Sequence, residues 1–263
     1  VTFVDLVFHV LAHVELDVPA SAWDPTYVRW TATQLGPARD RELGELARDV
    51  ERAAPRHELL AAAQRLAWLF RDVERARPAF ASALVDLSAG DVDAPALLAS
   101  LAATPGAELL FCACALEAPH HARLPAPVAD DAAFERALAD VRALAPALAE
   151  MPVEHVRALR ARGRAYDGRI FVGLPGRETP AIDPAHAAWQ AAHEATVVEL
   201  GAAKLPFAEH EHAAIVLLAE RAARAGKGRE HRAWLGTLRA PSPELASLAP
   251  PARVVVEAAL ARG

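Results

Sequence analysis

The chain has 263 residues, 53% of them hydrophobic, with a net charge of −6. That length and apolar fraction exclude a disordered chain and provide for one large or two ordinary domains with a sizeable core. The acidic balance argues against a general nucleic-acid or anionic-membrane partner, either of which needs a basic face.

In chain order, the opening segment reads as an almost wholly apolar helix from Thr2 to about Leu16, ending before Pro19. It is shorter than the roughly 20 residues that cross a bilayer, and it lacks the positive start of a secretory signal. Its polar stripe is Asp5, His9 and His13, spaced four apart. The stripe is read either as the helix's solvent edge or as two ligands, His9 and His13, oriented by Asp5 from behind. The first reading is preferred.

Asp24-Pro25, Asp93-Ala94-Pro95 and Asp183-Pro184 read as helix caps with proline at or near the first helical position. Helices are expected from Asp24 to Gly36, over 38–53, 56–75, 78–87, 94–103 and 106–117, then over 131–149 and 152–162. Residues 119–131 read as a proline-rich linker between an N-terminal helical region (1–118) and a C-terminal one (132–263), the whole also being compatible with one compact domain. Cys112 and Cys114 are too few for a disulfide framework and point to opposite sides of a helix, which fits reduced thiols and a cytoplasmic setting. Pro119 should break the helix before His120 and His121, which keeps those rings from joining the thiols around a soft metal.

Residues 164–173 interrupt the helical pattern, with Asp167-Gly168 between two β-prone runs, as in a tight hairpin. Helices resume over Pro184–Ala203, 208–225, 229–238 and 251–262. The fold class is therefore mostly α, a multi-helix protein with one small β-hairpin.

Chemistry is sought where imidazoles and carboxylates gather. His186 and His193 lie seven apart on one helix face, Glu194 follows the second, and Glu209-His210-Glu211-His212 comes one hairpin later. Such side chains suit a borderline divalent cation, zinc by preference. The run His193-Glu194-Ala195-Thr196-Val197 resembles, over about thirty residues, zinc hydrolases of the zincin type, whose helix carries His-Glu-x-x-His and whose later helix supplies a further ligand. It departs from them at Val197, where the second histidine belongs.

The resemblance implies metal-assisted hydrolysis with Glu194 as general base and His193 as ligand. The remaining ligands would come from His186, His9, His13, His210 or His212, with Asp5, Glu209 and Glu211 behind them. A helical scaffold whose histidines are structural is the alternative, binding a small molecule, a peptide or a protein. A degenerate hydrolase that keeps the fold without the metal is a third possibility, which Val197 would explain. No nucleophile elbow, phosphate loop or dinucleotide fingerprint is present. Substrate and oligomeric state are not legible in the residues.

Overall fold

The computed structural model describes residues 3–13, 25–53, 107–125, 131–157, 163–166, 168–173, 183–238 and 243–262. Among them are nine α-helices and three short strands, so the protein is mostly α. The helices expected over 56–75, 78–87 and 94–103, and the cap at Asp93, lie outside the described residues. No helix among the described residues is long and apolar enough to cross a membrane. The chain divides into two compact units, one built on Val1–Pro127 with Val156–Leu159 and Gly176–Pro180, the other on the remainder.

The first unit contains α1 (Phe3–His13), α2 (Pro25–Leu35), α3 (Pro37–Ala53) and α4 (Ala107–His121). Helix α1 packs against the other three. Phe3, Leu6, Val7, Phe8, Val10 and Leu11 are all buried, as a helix apolar on every side must be. The preferred reading of its polar stripe is corrected: Asp5 and His9 are buried too, and His13 is half-buried. The stripe faces other polar side chains, not solvent. A second correction concerns Pro119, which sits inside α4 without ending it. Proline removes one backbone donor, a small loss in a last turn. His120 and His121 are therefore helical, and the expected linker begins later than its prolines suggest.

The second unit contains α5 (Asp131–Arg142), β1 (Val153–Val156), β2 (Arg164–Tyr166), β3 (Arg169–Gly173), α6 (Pro184–Leu200), α7 (Phe207–Arg224), α8 (Gly228–Leu235) and α9 (Pro250–Arg262). Only Val156 of this set falls in the first unit. The helix expected over 131–149 stops at Arg142 and gives way to a 3₁₀ turn at Pro146–Ala149. The helix expected over 152–162 is corrected to strand β1 at its start, where Val153 and Val156 are β-branched and follow Pro152.

Strands β2 and β3 form the expected antiparallel hairpin, pairing Arg164 with Phe171, Ala165 with Ile170 and Tyr166 with Arg169. That register leaves a two-residue loop, in which Gly168 has φ +70°. β1 completes the sheet in the order β1-β3-β2, and Ile170, Phe171 and Val172 of the central strand are all buried. Helix α6 is the hub of this unit and packs against α5, β3 and α7. Its start is the predicted cap: Asp183 Oδ1 accepts from the backbone N–H of Ala185 at 3.1 Å and of His186 at 3.3 Å. From Ala187 to Thr196 every residue is buried, alanine giving its neighbours close approach.

Candidate functional site

In the first unit, four helices and Arg157 bring together Asp5, His9 and His13 with Tyr27, Thr31, Arg39, Glu117 and His121. Tyr27 Oη lies 2.7 Å from His9 Nδ1, and His9 Nε2 lies 3.2 Å from Glu117 Oε1. The other oxygen of Glu117 accepts from Arg39. Burial, together with the neighbouring His121 and His13 rings, pushes His9 well below the usual imidazole range, and burial pushes the Tyr27 phenol up. Both groups are thus neutral: Tyr27 donates to Nδ1, and Nε2–H donates to the carboxylate. The result is a chain of buried hydroxyl, imidazole and carboxylate that ends at the partly exposed guanidinium of Arg39.

His13 is assigned by the same reasoning. Its Nδ1 lies 2.8 Å from the His9 carbonyl oxygen, which can only accept, so the ring hydrogen is on Nδ1. Nε2 lies 3.0 Å from Thr31 Oγ1, whose own hydrogen is directed to the Val28 carbonyl oxygen at 2.8 Å. Burial lowers the His13 pKa, which fits the neutral ring.

Asp5 is held by Arg157 twice, through the backbone N–H and through Nε, each at 2.7 Å. His121 Nε2 lies 2.7 Å from Arg157 Nη2 and 3.2 Å from Asp5 Oδ2. This nitrogen faces a guanidinium donor on one side and the Asp5 carboxylate on the other. Burial pushes the Asp5 carboxyl up, but His121 and Arg157 outweigh it and hold it well below the usual carboxylate range. Two carboxylates meet two guanidiniums, and the cluster is charge-balanced. A guanidinium stands where a metal between Asp5 and His121 would have to stand.

The second unit holds the other predicted residues, which pair off separately. His193 is buried, with Nε2 3.3 Å from Glu211 Oε2. Its ring lies 5.8 Å from that of Trp234, which also neighbours His231 at 5.6 Å. His193 Nδ1, His231 Nε2 and Trp234 Nε1 are buried and have no hydrogen-bond partner among the described residues. Burial, with His193 and Arg232 nearby, pushes His231 down to about 4. Glu194 is buried beside Gly163. His210 Nε2 meets the Val197 carbonyl oxygen at 2.8 Å, and His212 Nε2 meets Ser247 Oγ at 3.1 Å. Glu209 is partly buried on the first turn of α7. Among the described residues no group of three or more His, Cys, Asp or Glu side chains is disposed to hold a metal ion.

His186 instead lines a cleft of about 370 Å³ in the second unit, together with Trp189, Trp234, Asp140, Lys227 and Glu230. Its aromatic wall is built by α6 and α8, whose Trp189 and Trp234 rings stack at 6.4 Å and 24°.

No family matches. The sequence fits no protein-family model, and neither the curated proteins nor the solved structures yield a match.

Sequence reasoning missed Tyr27, Arg39, Glu117, His121 and Arg157. One signal was available: Glu117 and His121 repeat the four-residue spacing of His9 and His13. Pro119 between them obscured it.

Proposed function

We propose that this chain is a non-enzymatic, helical binding protein whose buried histidines are structural. What supports the reading is the polar packing of the first unit's cluster: both ring nitrogens of His9 and Nδ1 of His13 are taken by protein groups, and His121 Nε2 lies between Arg157 and Asp5. A nitrogen committed in this way cannot ligate without breaking a buried hydrogen bond. The binding function rests on the cleft of the second unit, whose volume suits a small molecule and whose apolar walls carry a few polar groups. Among the described residues neither Cys112 nor Cys114 is in a disulfide, which fits a reducing, cytoplasmic compartment.

One observation favours a second reading, a zinc-dependent hydrolase of degenerate zincin type. His193 Nε2 and Glu211 Oε2 face one another at 3.3 Å, as the helix ligand and later-helix ligand of such a site would, with Glu194 next in sequence as the base. Catalytic zinc takes three protein ligands, so a third is required. Calorimetry of tag-free protein with zinc separates the readings. The structural reading expects no zinc-dependent heat and no change in melting temperature. A saturable heat that disappears in His193→Ala would establish the second.

A further inference from the structure

We infer that His13 and Thr31 form a proton-sensitive contact between α1 and α2: in mild acid the folded protein takes up a proton at His13 Nε2 and turns this contact into a charge-assisted hydrogen bond. The inference goes beyond the binding reading and does not rest on the cleft of the second unit.

Two contacts carry it. His13 Nδ1 lies 2.8 Å from the His9 carbonyl oxygen, so that nitrogen bears a hydrogen in the neutral ring and in the cation alike. Nε2 lies 3.0 Å from Thr31 Oγ1, and the hydroxyl hydrogen points to the Val28 carbonyl oxygen at 2.8 Å. In the neutral ring a nitrogen lone pair then meets an oxygen lone pair. The contact is paired only if the hydroxyl turns away from Val28. In the imidazolium both nitrogens are donors, and both already face acceptors. Proton uptake therefore needs no heavy atom to move. It fixes the Thr31 hydroxyl on Val28 and gives its oxygen an N–H to accept.

Position selects His13 over its neighbours. Its ring lies 4.9 Å from that of His9, which in turn lies 4.9 Å from that of His121. His9, His121 and Thr31 are buried, whereas His13 is half-buried at the end of α1 and open to protons from solvent. Asp40 of α3 and Glu117 of α4 both favour the cation. Tyr27 of α2 is neutral, Arg39 of α3 is engaged by Glu117 and Glu42, and Asp5 and Arg157 compensate one another beyond His9. Burial opposes the charge and keeps the His13 pKa below the usual imidazole range, which sets the uptake below about 6.5.

The test follows the His13 ring nitrogens of the full chain in long-range ¹H–¹⁵N spectra from about pH 7.5 to about 4.5. Nε2 is expected to pass from bare to protonated while Nδ1 keeps its hydrogen and the amide spectrum stays native. Thr31→Val removes the acceptor at nearly constant shape. It should weaken proton binding at His13 roughly fivefold to tenfold, because a hydrogen bond from a charged donor is worth more than a neutral one. Thr31→Ser keeps the hydroxyl and should titrate as the unaltered protein does.

Unchanged or tighter proton binding at His13 in Thr31→Val would overturn the inference. So would weakening of the same size in Thr31→Ser. The unaltered protein also decides by itself, whether or not the valine variant folds: a bare His13 Nε2 that persists until the native amide spectrum is lost would overturn the proton-sensitive contact.

Discussion

Arg157 grips Asp5 through its backbone N–H and its Nε, both at 2.7 Å, although 152 residues separate the two in sequence. Both side chains are buried, so the pair is indispensable once formed: removing either partner strands a charge in the interior. Arg157→Leu is expected to destabilise the protein by about 3–5 kcal/mol. The double variant Asp5→Leu, Arg157→Leu should recover much of that loss, because no unpaired charge is left. Urea denaturation of the three proteins checks the order.

Acid should weaken the fold before the carboxylates titrate. His9, His13 and His231 all have lowered pKa values, His231 down to about 4. Each is neutral when folded and free to protonate when unfolded. Their contribution is therefore complete above about 6.5, and it declines as pH falls below that value. His231 alone accounts for on the order of 3 kcal/mol between about 6.5 and 4. Denaturation midpoints should drop over this window, and His231→Phe should flatten the slope. A midpoint independent of pH from 7 to 4 would contradict the burial of these rings.

Gly163, just before β2, lies against the neighbouring strand β3. A Cβ there would stand 2.4 Å from the Phe171 carbonyl oxygen and 2.9 Å from Glu194 Cγ. The backbone oxygen is fixed by the sheet and cannot retreat. Gly163→Ala should therefore cost about 1–3 kcal/mol through forced shifts of the hairpin and of Glu194. A lower melting temperature with faster amide exchange at Ile170 and Phe171 is the expected signature.

The helical class and the hairpin were legible because they depend on local signals: the Asp183 cap, the Asp-Gly turn and the apolar run of α1. The strand at Val153–Val156 was not, since four residues carry no distinguishable period and their pairing with β3 is a tertiary event. The histidines were legible as a set, but their partners were not. His9 meets Glu117 across 108 residues, and no spacing rule joins positions so distant. Apolar neighbours made the stripe on α1 look like an edge, whereas the cluster buries it by supplying a partner for every charge. On α6, His193 meets Glu211 of the helix that follows.

The protonation of the two α1 histidines tests the structural reading most directly. Long-range ¹H–¹⁵N correlation spectra report which ring nitrogen carries hydrogen. At neutral pH His9 should be neutral with its hydrogen on Nε2, and His13 neutral with its hydrogen on Nδ1. Both patterns should persist when zinc is added. Zinc-induced shifts of either ring, or an imidazolium at His9, would contradict the hydrogen-bond network on which the proposal stands.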